Sequence, residues 1–293
     1  MDYSIAKFLL RTEGNHNDIV ACGLQGFKPF EVEYDATAEP TMILRMDSEI
    51  DESKYTITKA LDSFDFDQNY ATGELARYTT GYIFKMISGD KIFLLVKENG
   101  SNIVESNLGC YEEADPSLVR FGIWLMFGIT IAPLGAIAIH SSVVVKENAG
   151  VLCLGESGTG KSTHTRLWRE NIEGAKLLND DSPIIRMIDG KCIVFGSPWS
   201  GKTPCYVNKC VPVRALMRLS QAPHNKIRRL PALSAIGAIL PSCPPAFAHD
   251  NTLQDHICNT VSDIISCTPV YHLECLPNAE AAQLSYNTVF GCK

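Results

Sequence analysis

Eight consecutive residues carry the strongest chemical signal in the chain: Gly155-Glu156-Ser157-Gly158-Thr159-Gly160-Lys161-Ser162. They match the pattern GxxxxGKS of a phosphate-binding P-loop. Glycines let the backbone curl until several N–H groups converge on one anion. A helix that follows adds its dipole and its unpaired N–H groups. Lys161 supplies a positive point charge for β- and γ-phosphates, and Ser162 a hydroxyl for Mg²⁺. The flanks fit, because Val151-Leu152-Cys153-Leu154 reads as a buried strand and Ser162 to Trp168 is compatible with a helix. The binding segment is therefore taken as Gly155, Glu156, Ser157, Gly158, Thr159, Gly160, Lys161, Ser162 and Thr163.

Phosphoryl chemistry also needs an acid, and Asn179-Asp180-Asp181 follows one helix later. A helix over 162–171 rises ~1.5 Å per residue, ~15 Å away from the loop. A strand returning at ~3.3 Å per residue covers that distance by about residue 180. Asp180 and Asp181 are thus expected at the level of the P-loop. One carboxylate can hold Mg²⁺ and the other can accept a proton from an attacking hydroxyl. The plain alternative is an Asp-rich turn before Ser182-Pro183. His140, which ends an apolar run on the strand before the P-loop strand, comes near the phosphates if those two strands pair. A lone His on a strand is more often structural. The turn Gly196-Ser197-Pro198-Trp199-Ser200-Gly201-Lys202 offers backbone donors and one Lys; it lies either beside the transferred group or at the surface.

The elements that must position these groups fall into two parts. Residues 1–112 show short alternating runs (Phe30–Tyr34, Thr41–Leu44, Tyr55–Thr58, Ala76–Tyr82, Lys91–Val96) separated by turn signals such as Gly14-Asn15 and Asn99-Gly100. They read as a small antiparallel β domain. Residues 113–293 open with an apolar helix over Pro116–Ile131. A strand pair follows (Ala136–Lys146 and Gly150–Leu154), then the P-loop, a helix, a strand over Lys176–Leu178 and a hairpin over Ile184–Phe195 turning at Asp189-Gly190. The tail reads as a helix over Gln254–Ser266, a strand over Thr268–Leu276 and a helix over Ala279–Thr288. The fold class is α/β (α+β), a mixed sheet with flanking helices behind a β-rich N-terminal domain.

The chain has 293 residues, 45% hydrophobic and 20% charged, enough apolar material for a packed core. A net charge of −7 leaves no basic excess for a nucleic-acid partner. Eleven cysteines occur without CxxC spacing, which suits free thiols in a reducing cytoplasm. Phe121 to Ile139 is 19 residues without a charge, but Pro133 and three glycines interrupt it. A buried helix and strand, rather than a membrane span, are expected there.

The order His140-Ser141-Ser142, then Gly155–Ser162, then Leu177-Leu178-Asn179-Asp180-Asp181, resembles the HPr kinase/phosphorylase family within the phosphoenolpyruvate carboxykinase-like P-loop kinases. The resemblance covers about residues 134–290 and extends to Gly196–Gly201 and to Tyr271-His272-Leu273. The N-terminal part does not match that family's regulatory domain, so the chain looks like a divergent member. The resemblance implies a phosphoenolpyruvate carboxykinase-like core and ATP and Mg²⁺ as cofactors. It implies Lys161 and the loop amides on the phosphates, Ser162 and Asp181 on the metal, Asp180 as general base and His140 beside the transferred group. The implied activity is transfer of the γ-phosphoryl group to a hydroxyl, serine above all, of a peptide, protein or small molecule. The alternatives are a non-catalytic nucleotide-binding regulator or a hydrolytic NTPase. Relatives are often oligomers, which leaves a homo-oligomer open; no nucleic-acid or membrane partner is expected, and the location expected is cytoplasmic.

Overall fold

The computed structural model describes residues 1–66, 70–110, 115–201 and 203–291, and the chain forms two compact units. The first comprises Met1–Leu134 and Ala246–Leu253; the second comprises Gly135–Pro245 and Gln254–Lys293.

The first unit is built on β1 (Asp2–Ile5), β2 (Phe8–Glu13), β3 (Glu31–Val32), β4 (Met42–Arg45), β5 (Ile57–Phe66), β6 (Ala71–Tyr78), β7 (Gly81–Ser88), β8 (Lys91–Glu98) and β9 (Ile103–Ser106). They form one nine-stranded sheet in the order β3-β1-β2-β4-β9-β8-β7-β6-β5. The sheet is mixed rather than antiparallel, because β4 runs parallel to both β2 and β9. The expected strand Ala76–Tyr82 is in fact the turn between β6 and β7 and their ends. Thr79-Thr80 carries no strong turn signal.

Helix α1 spans Pro116–Ile131. Asp115 caps it by accepting from the Ser117 amide, and Pro116 occupies the first turn, where its missing N–H costs nothing. The helix packs on the first sheet, with the Phe121 ring against Phe64, Phe66 and Phe84. This packing moves the division between units from the expected position near 112, itself outside the described residues, to 134/135. Asp250 brings the later segment back to this unit. It accepts from Arg77 at 2.6 Å and from Tyr82 at 3.1 Å, and it is buried.

The second unit contains β10 (Ala136–Ala138), β11 (Ser141–Lys146), β12 (Ala149–Leu154), α2 (Lys161–Asn171), β13 (Lys176–Asp181), β14 (Ile184–Ile188), β15 (Lys191–Phe195), β16 (Cys210–Gln221), β17 (Lys226–Arg229), α3 (Ala232–Ile239), α4 (Asn251–Cys267) from Gln254 onward, β18 (Val270–Cys275) and α5 (Ala279–Phe290). Its sheet runs β10-β14-β15-β16-β12-β11-β13. β18 joins the C-terminal half of β16 and β17 pairs with β18. β12 is parallel to β16, and β16 to β18; the remaining pairs are antiparallel. The molecule is thus a mixed α/β protein with two large sheets. The core beside α2 joins Val151, Cys153, Met217 and Leu273 of the sheet to Leu167 and Trp168 of α2 and Ala282 and Val289 of α5. Trp168 is fully buried, and its truncation to Ala would cost about 3–5 kcal/mol. The nine cysteines whose side chains are described are free thiols.

Candidate active site

The P-loop pattern lies between β12 and α2, as its spacing predicts. Gly155, Gly158 and Gly160 have positive φ, and Gly160 at +101° caps α2. Gly155 is needed for two reasons. Its φ is +155°, and a Cβ there would stand 2.4 Å from Thr159 Oγ1.

Lys161 lies across the loop rather than in solvent, and only 8% of it is exposed. Its ammonium donates to the Gly155 carbonyl at 2.7 Å, the Glu156 carbonyl at 3.0 Å and His140 Nε2 at 2.9 Å. Burial pulls its pKa below the ordinary value of 10.5, and the carboxylates of Asp181 and Asp180 partly restore it.

His140 occupies a break in the expected strand Ala136–Lys146. β10 ends at Ala138 and pairs with β14, while β11 begins at Ser141 and pairs with β12 and β13. Between them the amides of Ile139 and His140 donate to Pro183 and Ser242 carbonyls. Freed from the ladder, the imidazole accepts from Lys161 at Nε2 and stands 3.2 Å from Asp181 Oδ1 at Nδ1. An ammonium can only donate. Nε2 is therefore the bare nitrogen and Nδ1 carries the proton toward Asp181.

The β13 strand returns Asp180 and Asp181 to the loop. Across β11, Asp180 stands in register with Ser142 and Cys153, and Asp181 with Ser141 and Leu154. The two carboxylates separate by environment. Asp180 is buried, and its Oδ1 accepts from Ser162 Oγ at 2.9 Å. The Asp181 side chain is 39% exposed and pairs with His140. The expected grouping of Ser162 with Asp181 is thus not the one present: Ser162 stands with Asp180, because alternate residues of a strand face opposite ways.

The Gly196–Gly201 segment is buried from Gly196 to Ser200, and Gly201 is exposed. Ser197, Trp199 and Ser200 are almost fully inaccessible. Asn179, missed as a site residue, ties the segment down: its Nδ2 reaches the Ser197 and Trp199 carbonyls, and its Oδ1 accepts from the Ser182 amide. The Gly201 amide donates to the Asp180 carbonyl at 2.6 Å, and Ser200 bridges Asp181, whose φ is +145°. The segment thereby holds Asp181 in an unfavourable backbone geometry next to Asp180. Lys202 lies outside the described residues.

On the α2 side of the loop opens a cavity of about 540 Å³, with Gly160, Thr163 and Gln221 polar and Leu167, Ala222 and Leu276 apolar. Its size is within the range of small-molecule sites. His164 also lines it, but turns Nε2 to the Trp168 indole N–H at 3.2 Å and Ser285 Oγ at 3.0 Å. Burial pushes the His164 pKa down to about 4.

Ser162 and Asp180 are hard oxygen donors of the kind Mg²⁺ takes. Among the described residues no group of three or more His, Cys, Asp and Glu could hold a metal. An ion here would draw its remaining ligands from phosphate and water, as Mg²⁺ characteristically does.

Fold and site together define a mixed α/β protein with a strand–loop–helix anion cradle, an ammonium across it and two aspartates beside it. No protein-family model and no curated protein matches the chain. Among solved structures, the HPr(Ser) kinase/phosphatase from Coxiella burnetii is similar over 52% of this chain and 87% of that one, with 16% identity and a TM-score of 0.31.

Proposed function

We propose that the protein is an ATP-dependent kinase that moves the γ-phosphoryl group to a hydroxyl of a peptide, protein or small molecule, serine being the leading acceptor. The observation that carries the reading is the convergence of Lys161, His140 and Asp181 on one side of the loop with Ser162 and Asp180 on the other. ATP would supply the phosphoryl group, with its base in the cavity beside α2, and Mg²⁺ would offset charge on the phosphate oxygens. The loop amides and Lys161 hold the β- and γ-phosphates. Ser162 and Asp180 hold the ion. Asp181, the accessible carboxylate, takes the proton of the acceptor hydroxyl, and the Nδ1 proton of His140 orients it. The metal and base roles are thus the reverse of those the resemblance implies for the two aspartates, which follows from their different exposure and partners. Catalysis in this reading is mostly positioning and charge neutralisation.

The test is incubation of the full chain with γ-³²P-ATP and Mg²⁺ against a lysate of the source cell. Label moving to a discrete acceptor supports a kinase. Label released only as free phosphate points to an NTPase, and tight ATP binding without turnover to a regulatory module. Asp181→Asn is expected to lower transfer at least ~100-fold while Mg·ATP still binds; full transfer in that variant overturns the base assignment.

A further inference from the structure

Register carries one line of residues across six strands of the second sheet. Asp181 of β13, Ser141 of β11, Leu154 of β12, Arg218 of β16, His272 of β18 and Arg228 of β17 are successive cross-strand partners. Partners in register share a face. The face is the one opposite α2, since the neighbouring positions Cys153, Met217 and Leu273 pack in the core beside that helix. Arg218 therefore lies on the same side of the sheet as Asp181, one strand from the residue that leads into the P-loop.

Its guanidinium is poised rather than satisfied. Nη2 donates to the carboxylate of Glu156 in the loop at 3.1 Å, and the Arg218 side chain is only 19% exposed. Nη1 is buried and has no hydrogen-bond partner. A buried guanidinium N–H without a partner is costly unless another group completes it. The Glu156 side chain is 77% exposed, so it holds Arg218 only loosely. Lys161 and Arg218 reach the same residue, Glu156, one through its carbonyl and the other through its carboxylate. Their charges act on each other, and Arg218 works against the protonated form of Lys161. Asp181 and Asp180 offset the charge of Lys161, whereas the carboxylate beside Arg218 is the exposed one of Glu156.

We infer that Arg218 is a second cationic ligand for the terminal phosphate of the bound nucleotide, with Glu156 as its resting partner. The inference rests on the nucleotide-binding reading of the P-loop. A planar fork with one arm free fits two oxygens of a phosphate. The arrival of a third phosphate completes the Nη1 valence, and Glu156, already in solvent, is released. The side chain so distinguishes nucleoside triphosphate from diphosphate, a discrimination that a P-loop lysine alone makes weakly.

Calorimetric titration of the full chain with the magnesium complexes of a non-hydrolysable ATP analogue and of ADP tests this. Arg218→Gln is expected to weaken the triphosphate about tenfold to a hundredfold and the diphosphate less than about threefold. Arg218→Lys should fall between, keeping the charge and losing the fork. Glu156→Gln should bind the triphosphate at least as tightly as the unaltered protein. Equal losses for both nucleotides in Arg218→Gln, or an equal loss in Glu156→Gln, would make the pair a structural brace of the loop and overturn the inference. No change with either nucleotide would also overturn it and leave the guanidinium for an anionic group on the acceptor. If Arg218→Gln does not fold, Arg218→Lys and Glu156→Gln carry the same comparison. Failure of the unaltered protein to bind either nucleotide would instead reject the P-loop reading itself.

Discussion

Lowering the pH should weaken the second unit through His164, by an amount the structure sets. The imidazole is 3% exposed, sits on α2 one turn from the P-loop lysine, and takes the Trp168 indole N–H at its bare nitrogen. The unfolded chain binds a proton there near 6.5, whereas the folded chain resists it until about 4. Stability from this residue is therefore complete above pH 6.5 and is lost as the pH falls toward the folded value. Linkage puts the loss at about 2 kcal/mol by pH 5 and about 3 kcal/mol by pH 4. That is a large share of a typical domain's stability.

Urea unfolding of the unaltered protein and of His164→Gln from about pH 7.5 to about pH 5 isolates the effect, because the carboxylates contribute equally to both. Glutamine keeps an acceptor for the indole but does not titrate in this range. The variant is expected to start less stable, and the gap should close by about 2 kcal/mol across the range. Two curves that stay parallel would show that His164 protonates in the folded protein without penalty. The account of its burial and of its bond to Trp168 would then be wrong.

Three further outcomes follow from the same geometry. Because Lys161 loses its proton below the ordinary value of 10.5, Mg·ATP affinity should fall as pH rises through that lowered value, and Asp181→Asn should move the fall to lower pH; calorimetry across pH would show it, and affinity constant up to pH 10.5 would contradict it. Asp180→Asn should raise the Mg²⁺ concentration needed for half-maximal transfer by about tenfold or more, with the effect absent in Asp181→Asn; equal shifts in both would remove the distinction between the carboxylates. Gly196→Ala places a methyl 1.9 Å from the Val207 carbonyl oxygen. It should cost about 1–3 kcal/mol in thermal or urea unfolding and depress transfer by displacing the segment that holds Asp180 and Asp181; unchanged stability would mean that the segment yields freely.

Much of the site was legible because its logic is local. The GxxxxGKS pattern, the buried run before it and the length of α2 suffice to place a strand, an anion cradle and a returning acid, and β13 ends at Asp181 as that arithmetic requires. The boundaries of α1 and of the hairpin β14–β15 were legible for the same reason, through a proline-led N-terminus and the Asp189-Gly190 turn. His140 was visible as a residue but not in its setting, since the break between β10 and β11 depends on carbonyls from Pro183 and Ser242 far along the chain.

β16 was not legible, and it is the strand that organises the unit. Cys210–Gln221 contains Pro212, Arg214 and Arg218, which interrupt the apolar alternation that marks a strand. The interruption has a structural cause. The first residues of β16 pair with β15, and the later ones pair with β18 on one side while β12 flanks the other. One strand thus meets different neighbours along its length, and no single period describes it. Missing β16 hid Arg218, because a residue's neighbours in a sheet come from strand order, and strand order leaves no trace in local pattern. The same order creates the row from Asp181 to Arg228, with a carboxylate at one end and two arginines and a histidine toward the other. A sheet that sets an acid and a cation on opposite sides of its phosphate loop defines two approaches to that loop, one suited to taking a proton and one to holding negative charge. This polarity is a property of strand order, and neither the loop motif nor the Asp pair contains it alone.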